Sequence, residues 1–131
     1  MRNVTQIFRN AISSHTDWMI NTFYKVIEVL RKKDVRISFW EGEENWASIL
    51  IDNKTVGYIW RKYPLIVIKK NSVPNLISLL SNQKIINYLE VDSLDKELLR
   101  IEDSELAEFL DGYSNLSSFT IEDIWFYTNS R

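Results

Sequence analysis

His15 is the one histidine in 131 residues, and it is therefore the only side chain here whose ordinary charge change lies near neutral pH. Beside it stand Ser13, Ser14 and Asp17, the residue types of a hydrolytic triad. Nucleophile, base and orienting acid normally come from separate segments that the fold brings together. The stretch therefore reads as a junction between helices, in which His15 caps or packs. The Glu41-Gly42-Glu43-Glu44-Asn45 loop offers clustered oxygens to a hard cation but lacks the alternating ligand spacing of a calcium loop, and it reads as a solvated connection. The three glycines, Gly42, Gly57 and Gly112, are isolated, so no phosphate-cradling or dinucleotide loop can be assembled. There is no cysteine, which removes thiolate nucleophiles, disulfides, iron–sulfur clusters and cysteine zinc sites together. No resident metal or cofactor is expected.

One spacing is more suggestive. Asp52-x-Lys54 follows the apolar run Ile49-Leu50-Ile51 and resembles the acidic-x-Lys element of restriction-type nucleases, where a strand-end carboxylate holds a metal and the lysine orients water. The likeness is to one element and not to a family. It implies Asp52 and Lys54 as catalytic candidates, with Asp34 or Glu41 as the second acid and metal-assisted hydrolysis as the mechanism. A polar hairpin turn explains the same residues by turn chemistry alone.

Charge carries a broader signal. The net charge of −2 conceals a basic body and an acidic end. Residues 1–89 hold 13 Lys and Arg against 7 Asp and Glu, whereas residues 90–131 hold 3 against 11. Glu105 and Glu108 lie in that acidic third, on the expected solvent side of a helix, where they suit a basic partner or the basic body of another copy. In the segment from Tyr58 to Lys70, aromatics alternate with cations as in single-strand nucleic-acid binders. Hairpin geometry, however, puts Arg61 and Lys62 at one end and Lys69 and Lys70 at the other, giving two clusters and no track. Trp46 is expected on a face shared with Arg61, in position for a cation–π contact or an exposed anchor.

The elements that position these groups follow from periodicity. Val4, Phe8, Ala11 and Ile12, then Met19, Phe23, Val26, Ile27 and Leu30, keep a helical period. Two helices are read, over 2–13 and 18–33, the second capped by Thr16 or Asp17, although the stripe would also suit one long helix. Strands follow at 35–41, 46–52, 55–62 and 65–70, with a tight turn at Asp52–Lys54 and Pro64 in the turn before the fourth strand. Parity across that turn puts Ala47, Ile49, Ile51, Val56, Tyr58 and Trp60 on one apolar core face. Trp46, Ser48, Leu50, Asp52, Thr55, Gly57, Ile59 and Arg61 fall on a mixed face. A helix opens at Pro74; 83–90 suits a short helix or a strand, with the helix preferred. Ser93 is read as capping a helix with Leu94, Leu98 and Ile101, and Ser104 as capping another with Leu106, Phe109 and Leu110. Thr120 to Asp123 reads as a variant capping box, opening a helix or, from its β-branched content, a strand.

The fold class expected is α+β in a single globular domain, 1–131: an N-terminal helix pair, a central four-stranded antiparallel meander and a C-terminal run of short helices. No signal-peptide core or membrane-spanning stretch is visible, so a cytoplasmic location is expected and no membrane partner. The function expected is a small accessory, regulatory or inhibitor-type protein that binds a macromolecule, protein first, through a mixed aromatic and charged surface with Trp46, Arg61, Lys62, Glu105 and Glu108. Self-association is a second form of the same reading. A metal-dependent nuclease around Asp52 and non-catalytic nucleic-acid binding are the alternatives.

Overall fold

The computed structural model describes residues 3–14, 18–38, 45–73, 78, 87–111 and 118–129. Among the described residues it is an α+β fold with four helices and a five-stranded mixed sheet. Helix α1 (Val4–Ser13) begins where the Asn3 side chain accepts from the Gln6 amide at 3.0 Å, satisfying one orphan donor of the first turn. It ends at Ser14, whose backbone leaves the helical region. A π-helical turn at Trp18–Thr22 leads into α2 (Phe23–Arg31), so the N-terminal segment is two helices. The proposed caps Thr16 and Asp17, together with His15, lie outside the described residues.

The sheet comprises β1 (Arg36–Ser38), β2 (Trp46–Ile51), β3 (Lys54–Trp60), β4 (Ile66–Lys69) and β5 (Tyr88–Val91), in that spatial order. The first four pair antiparallel, as the alternation predicts. The fifth pairs parallel with β4, Val67 lying opposite Leu89. This corrects the helix preferred over 83–90 where it covers 88–90; residues 83–86 lie outside the described residues. Tyr88-Leu89-Glu90-Val91 alternates in burial as a strand does, and a parallel neighbour needs a crossover, here residues 70–87. The helix expected from Pro74 lies within that crossover, outside the described residues except Ser78.

The register of the β2–β3 hairpin differs from simple parity. Ile51 faces Lys54 and Leu50 faces Thr55, but Ile49 faces Gly57, so β3 carries one extra residue, Val56. This bulge exchanges the faces of everything beyond it. Trp46 comes opposite Trp60, and Ala47 opposite Ile59. Gly57 is required at that step: a Cβ there would run into the Val67 carbonyl and lie 3.0 Å from the Ile68 Cα.

Both faces of the sheet are core. One carries Ala47, Ile49, Ile59, Ile66 and Ile68 against Phe23, Val26, Ile27 and Leu30 of α2. The other carries Trp46, Tyr58, Trp60, Val67 and Leu89 against Phe8 of α1 and the helices α3 (Ser104–Asp111) and α4 (Ile121–Asn129). The single hydrophobic stripe of the N-terminus is thus divided, with α1 on one side of the sheet and α2 on the other.

The acidic third is less helical than its pattern suggests. Asp92 takes the Glu97 carboxylate on its amide at 2.5 Å, and the Ser93 hydroxyl turns to Asp95 at 2.7 Å. One turn forms, and then Leu99–Arg100 (β6) pairs with Ser118–Phe119 (β7); no helix runs through Leu98 and Ile101. Helix α3 is capped by Asp103 and not by Ser104, its carboxylate accepting from the amides of Glu105 and Leu106 at 3.0 and 3.2 Å. At α4 the reciprocal capping box forms: the Thr120 hydroxyl accepts from the Asp123 amide at 3.1 Å, and the Asp123 carboxylate from the Thr120 amide at 3.0 Å.

Candidate functional site

Trp46 and Trp60, cross-strand neighbours, stack at 4.6 Å with planes 11° apart, and they are 1% and 2% exposed. Trp46 is therefore not on a surface shared with Arg61; the bulge brings Trp60 onto its face, and helices cover that face. Its indole N–H donates to the Thr128 hydroxyl at 2.7 Å, which in turn donates to the Ile124 carbonyl at 2.6 Å. The Thr128 carbonyl accepts from the Asn45 side chain at 2.5 Å. This chain of bonds locks the last turn of α4 to the start of β2.

Above that lock the molecule opens. Trp60, Tyr63 and Phe109 form a triangle of rings, with centroid separations of 4.8 Å (Trp60–Tyr63), 6.0 Å (Tyr63–Phe109) and 6.3 Å (Trp60–Phe109). With Asn45, Lys62 and Thr128 they line a cleft of about 280 Å³. A second cleft, about 260 Å³, is lined by Arg9, Ile12, Ser13, Glu105, Leu106 and Phe109. Phe109 belongs to both and forms the ridge between them, its side chain 42% exposed. Arg9 is held by an ion pair with Asp103, the carboxylate that also caps α3.

The predicted binding residues are thereby sorted. Lys62 lies in one cleft and Glu105 in the other, on either side of Phe109. Glu108 is exposed on the same helix, and Arg61 is half-buried beside Lys62. Phe109 itself was expected on the inward stripe with Leu106 and Leu110. Leu106, Ala107 and Leu110 fill the inward positions of α3, and the 100° step leaves Phe109 at their margin. On α4 the outward position is Phe126, 59% exposed. Each of these phenylalanines follows a glutamate by one helical turn: Glu105 before Phe109, Glu122 before Phe126.

Asp52 and Asn53 occupy the two central positions of the β2–β3 turn with φ of 52° and 64°, the conformation of a primed hairpin turn. The Asn53 side chain accepts from the Arg36 guanidinium at 2.6 Å. Asp52 and Lys54 are exposed there. Asp34, one of the two acids a nuclease would need, is exposed with φ of 62° in the turn that ends α2; the other, Glu41, lies outside the described residues. Among the described residues no three His, Cys, Asp or Glu side chains form a group that could hold a metal ion.

The far end of the sheet carries a polar cleft of about 230 Å³, lined by Thr55, Lys69, Ser93, Leu94, Asp95 and Glu122. The Ser93 hydroxyl holds the Asp95 carboxyl below its ordinary pKa. Nearby, the Tyr58 phenol is raised to about 12, first by burial and then by the charge and hydrogen bond of Glu122. The expected basic cluster at this end is partly neutralised, since Lys70 lies 3.7 Å from Asp92.

Set against models of known families, curated proteins and solved structures, the chain matches none. Among the described residues no helix is long and apolar enough to cross a membrane.

Proposed function

We propose that this chain is a non-enzymatic interaction module, of accessory, regulatory or inhibitor type, which binds a partner protein on the outer side of α3 and α4. The observation that carries this reading is Phe109: a large aromatic ring left 42% exposed as a ridge between two clefts. Exposed aromatics in clefts, ringed by polar groups, are the usual anchors of protein contacts. The rim chemistry defines the partner. Glu105 and Glu108 are exposed beside Phe109, and Arg9 is already engaged by Asp103. A complementary surface therefore presents apolar side chains for the clefts and lysine or arginine for the carboxylates.

The test is capture of partners at moderate salt, with nuclease-treated controls, by wild type, Phe109→Ala and Glu105→Gln/Glu108→Gln. A protein retained after nuclease treatment and lost with both variants supports the reading. Capture that persists in both variants, or that vanishes on nuclease treatment, overturns it, and the second outcome favours nucleic acid.

A further inference from the structure

Two segments of the chain carry opposite net charge to opposite sides of the sheet, with Arg9 and Lys62 as cations on the acidic side. Residues 21–34, which supply α2, hold four Lys and Arg against two Asp and Glu. Residues 95–123, which supply α3, β6, β7 and the start of α4, hold nine Asp and Glu against two Lys and Arg. The first segment packs on one face of the sheet and the second on the opposite face. Each side also exposes aromatic surface. On α2 it is Tyr24, 45% exposed, beside Lys25 and two turns before Arg31. On α3 and α4 it is Phe109 and Phe126, each one turn after a glutamate. No salt bridge among the described residues uses Lys25, Arg31, Glu105 or Glu108.

We propose that the basic α2 side of one copy docks on the acidic α3–α4 side of a second copy, so that this chain associates with itself head to tail. The proposal rests on the reading of the α3–α4 side as a docking surface and names its occupant. Complementary charge supplies orientation and discrimination, and the exposed rings supply apolar contact. Because the two surfaces lie on opposite faces of the sheet, the contact is heterologous. Each added copy presents the same free basic side and the same free acidic side, so growth continues into an open chain unless the rotation closes a ring.

Sedimentation velocity over a range of concentrations at low salt tests this. Wild type should show a mass that rises with concentration beyond two copies and returns to one copy in about 1 M salt, where the Debye length is ~3 Å. Lys25→Gln/Arg31→Gln and Glu105→Gln/Glu108→Gln, all at exposed positions, should each associate about tenfold more weakly, as expected for two lost charge pairs. Mixed together, they restore one intact contact and only one. The mixture should therefore form a 1:1 pair and stop there. Wild type monomeric at every concentration overturns the proposal, as do variants that associate like wild type or a mixture that forms no pair. If wild type is monomeric while the captured partner is still lost in the α3 variants, the docking surface stands and only the second copy as its occupant fails.

Discussion

Thr128→Val removes the oxygen that receives the Trp46 indole N–H and changes little else. Trp46 is 1% exposed and donates at 2.7 Å, so the variant takes from a buried donor the oxygen it bonds. Leaving such a donor unsatisfied costs about 1–3 kcal/mol. Threonine and valine have nearly equal helix propensity, and the added methyl carbon recovers at most about 0.8 kcal/mol of burial. The expected loss is therefore about 1–2 kcal/mol, or roughly 3–8 °C in Tm for a chain of this length. Urea unfolding followed by circular dichroism measures it, with an unchanged slope confirming that only stability moved. A cycle with Trp46→Phe isolates the bond, because that variant has no N–H to strand. In that background Thr128→Val should cost at least about 1 kcal/mol less than in wild type. An equal cost in both backgrounds would refute the reasoning, and with it the bond that ties α4 to the start of β2.

Three further substitutions examine other parts of the structure. Gly57→Ala should destabilise by about 1–3 kcal/mol in the same assay, since its Cβ would press on the backbone of β4; a neutral result would contradict the close approach at the bulge. Tyr58 ionises near 12 in the fold against an ordinary 10.0, so the native state keeps a proton that the unfolded chain releases between these values. Its contribution to stability is complete below pH 10 and is lost as pH rises through 12; denaturation at pH 9 and pH 11.5 should show a smaller fall for Tyr58→Phe than for wild type. Asp52→Ala places a Cβ-bearing residue without turn-forming oxygens at φ of 52° and should cost about 1 kcal/mol. It should leave partner capture unchanged, and a substrate cleaved by wild type but not by Asp52→Ala would overturn the interaction reading in favour of the nuclease.

The parts of the fold that local chemistry specifies could be read from residues. Asn and Asp at positive φ make the β2–β3 turn, Thr120 and Asp123 cap α4, and alternation marks four strands. The errors arose where one residue changed a count or where a partner decided the outcome. Gly57, isolated inside a strand, was the available sign of a bulge, and without it parity sends Tyr58 and Trp60 to the face of Ala47 and Ile49 instead of that of Trp46. Tyr88–Val91 is too short for its period to separate strand from helix, and its pairing with β4 decides the matter from 22 residues away in sequence. Ser93 had the right chemistry for a cap, but Glu97 reaches back to the Asp92 amide and closes a single turn. Phe109 belonged by type to the core and by angle to its margin.

The bulge also changes where function can reside. With unbroken parity the sheet would offer one mixed face, with Trp46 and Arg61 upon it, and binding would be sought there. With Val56 inserted, the tryptophans become the floor beneath α4, and helices cover both sides of the sheet. A sheet buried on both faces can meet a partner only at its edges or through the helices laid upon it. Those helices keep their apolar stripes for the core, so what they present outward is whatever lies off the stripe: Tyr24 with lysine and arginine on α2, Phe109 and Phe126 with glutamate on α3 and α4. The charge asymmetry along the chain thus becomes an asymmetry across the sheet, because the early helix and the late helices pack on opposite faces. On the reading proposed above, that conversion gives one molecule two distinct docking surfaces, and their mutual recognition becomes a question of association state.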